Sequence, residues 1–112
     1  MYKIKLLSIK ASYLLIELYY DEDSPYRDVE KTISYAKQLF EATKDPELAF
    51  LLGLVYDQQL KDYVKAVNWY ENAERLGHKR VAFYLGRIYY YGLLRTKRDG
   101  GKALAYFKKA RE

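Results

Sequence analysis

The chain has 112 residues, half of them hydrophobic and 17% aromatic, with a net charge of +5 and only two Pro and six Gly. Those proportions exclude disordered and collagen-like classes, and the length suits one domain that buries roughly two thirds of the surface its unfolded form exposes. With no cysteine there is neither a disulfide framework nor a thiolate zinc site.

The first helix is expected over residues 4–20, where Leu7, Ala11, Leu14, Leu15, Leu18 and Tyr19 recur at steps of three and four. Lys3 and Lys5 ahead of apolar residues imitate a signal peptide, but Lys10 and Glu17 interrupt the run and no small-residue cleavage site follows. A cytoplasmic location is therefore expected. Asp21 to Asp28, with its acidic run and Ser24-Pro25, stops that helix, and Asp28 caps a second one carrying Val29, Ile33, Ala36, Leu39 and Phe40 to about Thr43. Asp45, Pro46 and Glu47 start a third helix that runs to about Gln58. A turn near Lys61 and Asp62 leads to a fourth, Tyr63 to Leu76, closed by Gly77. A fifth runs from about Lys79 to Tyr91 and ends at Gly92. The basic loop Leu93 to Gly101 then places Asp99 to cap a sixth, Gly101 to Arg111.

Two of these segments are written twice. Ala49, Leu52, Gly53 and Tyr56 recur 33 residues later as Ala82, Leu85, Gly86 and Tyr89. Lys65, Ala66, Trp69, Tyr70 and Ala73 recur 37 residues later as Lys102, Ala103, Tyr106, Phe107 and Ala110. A period in the thirties marks a helical solenoid, whose units bury their apolar faces only by stacking. Gly53 and Gly86 are expected to let the two helices of a pair approach closely, with Tyr56, Tyr89, Trp69 and Tyr106 filling the wider gaps.

The residues Leu85-Gly86-Arg87-Ile88-Tyr89 with Gly92, the step from Asp99 to Lys102-Ala103, and the junction Ala73-Glu74-Arg75-Leu76-Gly77-His78 resemble the Sel1-like repeat family, a relative of the tetratricopeptide repeats. The resemblance covers residues 47–111 well and the first 46 weakly. Two departures stand out: Gln59 replaces a family glycine before a shorter loop, and Glu74 and Arg111 stand where a second alanine is usual. The fold implied is all-α, a right-handed α-solenoid of three antiparallel helix pairs (six helices). Residues 1–112 would form a single helical-repeat domain, with 1–46 a degenerate first unit, 47–78 the second and 79–112 the third. The function implied is that of a scaffold or adaptor that binds other proteins, in a family not known for enzymes.

In such repeats the first helix of each pair lines the concave surface. If Gly53 and Gly86 face the second helix, the groove residues are Phe50, Leu54, Asp57 and Gln58 in the middle unit and Phe83, Arg87, Tyr90 and Tyr91 in the last, with Arg80 a turn earlier. The weaker first unit adds Tyr13, Glu17 and Tyr20. The expected occupant is a peptide or helix of another protein, anchored by Phe50, Leu54, Phe83 and Tyr90 and oriented by Asp57 and Arg87. The competing reading is that neighbouring units close on these rings and make them inter-repeat core.

Residues 1–56 carry −2 and residues 57–112 carry +7. This asymmetry suits either a solvated face or an anionic partner, so binding of single-stranded nucleic acid through Lys79, Arg80, Arg87, Arg95, Lys97, Arg98, Lys108, Lys109 and Arg111, interleaved with Tyr84, Tyr90 and Tyr91, is the alternative function. No P-loop, Gly-x-Ser-x-Gly or histidine pair occurs, and the lone His78, beside Gly77, suits a capping or surface role, so neither catalysis, a cofactor nor a metal is expected. The last helix has no following unit to cover Leu104, Tyr106 and Phe107, which leaves a monomer or a weak homodimer through that helix.

Overall fold

A computed structural model describes residues 2–95 and 97–112; Met1 and Thr96, which fall in the predicted first unit and the predicted basic loop, lie outside them. The described residues form six α-helices and no strand: α1 (Tyr2–Tyr20), α2 (Val29–Thr43), α3 (Pro46–Leu54), α4 (Tyr63–Arg75), α5 (Val81–Tyr91) and α6 (Gly100–Arg111). This is the all-α class expected of an α-solenoid of helix pairs. The chain divides into two compact units, Met1–Lys44 and Asp45–Glu112. No helix among the described residues is long and apolar enough to cross a membrane.

The helix boundaries follow the capping chemistry. Asp28, Asp45, Asp62 and Asp99 each accept a hydrogen bond from a backbone N–H in the first turn of the next helix, satisfying a donor that the helix itself leaves unpaired. Gly77 and Gly92, with φ of +89° and +64°, supply the left-handed conformation that ends α4 and α5. The predicted third helix is corrected at its end: α3 gives way to a π-helical turn, Val55–Gln59, whose i→i+5 pattern is completed by the Leu60 N–H donating to the Val55 carbonyl at 3.1 Å.

A clasp recurs in all three helix pairs. The N–H of the capping aspartate donates to the carbonyl of a tyrosine near the end of the preceding helix: Asp28 to Tyr19 at 2.9 Å, Asp62 to Tyr56 at 2.8 Å, Asp99 to Tyr89 at 3.1 Å. Three residues after the aspartate a lysine ammonium lies over that tyrosine's ring, Lys31 at 5.3 Å, Lys65 at 5.5 Å and Lys102 at 4.9 Å. Tyr19 also stacks on Tyr35 of the second helix at 5.7 Å, and Tyr89 on Tyr106 at 5.9 Å. The N-terminal pair, whose sequence matches the others poorly, thus keeps their joint.

Within the second unit each glycine receives a ring. A Cβ on Gly53 would stand 2.3 Å from Tyr70 Cδ1, and one on Gly86 would stand 2.7 Å from Phe107 Cε1. The expected close approach is therefore made by an aromatic side chain of the second helix lying on glycine, not by backbone against backbone. Tyr70 is fully buried, contributing ~1.5 to 3 kcal/mol of apolar burial.

The first unit corrects the predicted face of α1. Ile16 is buried and Tyr19 packs on α2, whereas Leu7, Leu14 and Leu18 are exposed. Because α1 carries apolar residues around much of its circumference, periodicity alone does not select the side that meets α2. On α2, Thr32, Ala36, Leu39 and Phe40 are buried, and the Thr32 hydroxyl donates to the Asp28 carbonyl at 2.8 Å.

Candidate functional site

Three of the predicted groove residues, Phe50, Asp57 and Arg87, lie in the junction between the repeats α3–α4 and α5–α6. Phe50 is 4% exposed: its ring meets Tyr84 edge-on at 5.2 Å, His78 at 4.2 Å and Tyr70 at 6.1 Å, with the Arg80 guanidinium 5.1 Å above it. Asp57, 1% exposed, accepts a hydrogen bond from the Tyr70 hydroxyl at 2.8 Å and ion-pairs with the Arg87 guanidinium. The expectation that Phe50 and Asp57 line an open groove is corrected. Positions three before and four after the glycine lie on the side of α3 against which α5 packs, and the π-helical turn carries Asp57 into that contact.

The electrostatics fit a structural joint. Burial, and then the Asp57 charge and hydrogen bond, push the Tyr70 phenol well above its ordinary range, so it stays a proton donor. Burial works against the charged Arg87, but the hydrogen bond and charge of Asp57 prevail and raise its pKa further. No buried side-chain polar atom among the described residues lacks a partner. Arg87 is thereby held to Asp57, across the repeats.

Of the two roles expected of it, capping or surface, His78 takes the capping one. Its side chain is 3% exposed, the Arg80 N–H donates to Nδ1 at 3.2 Å, and Nε2 meets Glu47 Oε1 at 3.0 Å. An acceptor at Nδ1 places the ring proton on Nε2, which then donates to Glu47. The turn after α4 is pinned in this way to the start of α3.

The remaining predicted residues of the second unit are accessible. Leu54 is half-buried and Gln58 exposed, while Phe83, Tyr90 and Tyr91 are exposed along α5. Phe107 joins two of them, its ring 6.2 Å from both Phe83 and Tyr90, and Tyr91 packs edge-on against Tyr90 at 4.9 Å. Cations border this aromatic face: Arg98 stands 5.9 Å from the Tyr90 ring centre, and a cleft of about 300 Å³ beside Phe83 is lined by Lys79, Arg80, Phe83, Tyr84 and Ala110. Tyr13, Glu17 and Tyr20 lie on α1 in the first compact unit, with Tyr13 and Glu17 exposed and Tyr20 partly so. Sequence reasoning left Phe107 and Arg98 out of the groove. The 37-residue displacement that equates Phe107 with Tyr70 was the available signal for the first; nothing in the spacing marks the second.

The arrangement offers aromatic surface and fixed charge. A family model described as Sel1 repeat matches residues 46–78 and 80–112, the segments that contain the two glycine-and-ring pairs. Comparisons with curated proteins and with solved structures gave no match. Sel1 repeats are in general protein–protein interaction modules built on a non-catalytic fold. With two matches spanning more than half of its length, the chain belongs to the Sel1 repeat family.

Proposed function

We propose that this protein is a small adaptor or escort that holds a segment of a protein partner against Leu54, Phe83, Tyr90 and Tyr91, with Phe107 as the floor. The observation that carries this reading is a pair of matched aromatic platforms. Phe50 and Tyr70 sit 6.1 Å apart at 37°, and their counterparts Phe83 and Phe107 sit 6.2 Å apart at 45°. The first platform is covered by α5, and Phe83 on the second is half exposed. A surface built to be covered by a helix is a binding surface for one. The helix pair α1–α2, which carries the same clasp, is read as a degenerate first unit of the domain, and Tyr13, Glu17 and Tyr20 as its contribution to binding.

A pull-down from nuclease-treated lysate, comparing the native chain with a Phe83→Asp, Tyr90→Ala variant, tests this reading. Loss of an enriched protein in the variant is expected. Equal capture by both overturns it, and a ligand that survives only without nuclease turns the assignment to nucleic acid held by the basic segment around Arg95, Lys97 and Arg98.

A further inference from the structure

We propose that the open face of α5 and α6 takes α1 of a second copy of this chain, docked head to tail; this rests on the reading of that face as a binding surface. The closed junction between the repeats is the template. There Tyr84, five residues before the clasp tyrosine Tyr89, lies on the Phe50 and Tyr70 rings at 5.2 and 5.8 Å. Arg87, two residues before Tyr89, reaches the anion Asp57.

The clasp fixes the equivalent positions on α1. Tyr19 accepts from its capping aspartate and lies under its lysine as Tyr89 does. Leu14 therefore stands where α5 has Tyr84, and Glu17 where α5 has Arg87. On the same side of the helix a turn away, Val81 and Ile88 are fully buried in α5, whereas their counterparts Ala11 and Leu18 in α1 are exposed. Leu14 itself is 64% exposed. One end of the chain thus presents a covering helix with nothing beneath it among the described residues of its own unit, and the other presents a platform with an open ring.

Charge selects this pairing. Asp57, the anion of the closed junction, is replaced on the open face by Tyr90, with the Arg98 guanidinium beside its ring. The group complementary to that position is an acid, and α1 supplies Glu17 where α5 supplies an arginine. A two-fold arrangement with the open faces against each other would instead oppose two copies of Arg80, Arg98 and Lys108, within a segment, Lys79 to Glu112, that holds ten Lys and Arg against two acidic residues. A head-to-tail contact leaves a free covering helix at one end and a free platform at the other after each addition, so it builds chains of increasing length, or a ring where the rotation between copies closes.

Sedimentation velocity on the full chain, from low micromolar to millimolar protein, tests this. The native mass should rise with concentration past that of a dimer. Leu14→Glu and Phe83→Asp, both at exposed positions and each checked by circular dichroism, should each remain monomeric, and an equimolar mixture of the two should form a dimer and nothing larger, because one competent contact survives. Glu17→Arg should weaken assembly by about tenfold, and adding Arg98→Glu should restore it. A native chain that stays monomeric, a mixture that stays monomeric, or assembly that persists in the Leu14→Glu, Phe83→Asp double variant overturns the assignment. If Phe83→Asp still abolishes capture of a lysate protein in that event, the broader adaptor reading stands; if it changes neither, both fall.

Discussion

Phe50 and Phe83 occupy the same place in two copies of one helix pair, yet the first is 4% exposed and the second 50%. Asp57 and Tyr90 are matched in the same way, at 1% and 47%. The local sequences are alike and the platforms nearly superimpose in distance and tilt, so the difference lies in whether a further helix packs on the repeat. A solenoid position is core or binding surface according to its neighbour, and the same side chain is read correctly only once the neighbour is known.

The largest test of that difference removes the rings. Phe50→Ala should cost ~3 to 5 kcal/mol, because it opens a cavity under Tyr84 and His78, which the junction holds in place. Phe83→Ala should cost about 1 kcal/mol or less, since half of that ring is already in water. Urea unfolding of both variants measures the contrast, and equal losses would mean that the open face contributes as much to the fold as the closed one.

Overfilling gives the next largest effect. Gly53→Ala forces a methyl into the Tyr70 ring, which is fully buried and tied to Asp57, and should destabilise by about 3 kcal/mol. Gly86→Ala meets Phe107, whose ring is only partly buried and has room to swing, and should cost about 1 kcal/mol. Thermal unfolding that ranks the two in the opposite order would show that Phe107 is held as firmly as Tyr70.

Much of this is legible in the sequence, and the failures have physical causes. Asp28, Asp45 and Asp99 as caps, Gly77 and Gly92 as helix ends, and the glycine at each helix crossing follow from local chemistry that a sequence states directly. The buried side of α1 is not legible, since leucines occupy more of its circumference than one partner helix can cover. Nor is the π-helical turn, because a single i→i+5 step leaves no compositional mark. Phe50 and Asp57 escape sequence reasoning for a related reason. Spacing from Gly53 tells which residues lie off the glycine's own face of the helix, but not whether groove or next repeat meets them.

The polar half of the closed junction gives a pH-dependent test. Folding raises the Tyr70 phenol above its unfolded pKa of about 10, so the stability it confers is complete below that pH and is lost as pH rises through and beyond it. The native chain should lose ~1.4 kcal/mol per pH unit there from this group, with a smaller addition from Tyr106, which burial and the Glu74 charge also raise. Tyr70→Phe should flatten the alkaline slope while costing about 1 kcal/mol at neutral pH. An unchanged slope would remove Tyr70 from the account of the junction.

The smallest effect belongs to the clasp, a feature on which all three helix pairs agree. Replacing Lys31, Lys65 or Lys102 by Met keeps the apolar stem and the Asp cap but removes the cation from above the tyrosine, at a cost of about 0.5 kcal/mol each at these exposed sites. The informative quantity is the pattern across the three. If α1–α2 is a unit of the same kind as the later pairs, Lys31→Met should cost as much as Lys102→Met in chemical denaturation. A loss confined to Lys65 and Lys102 would mean that the first pair keeps the shape of the clasp without its energetics, and would separate it from the two later repeats.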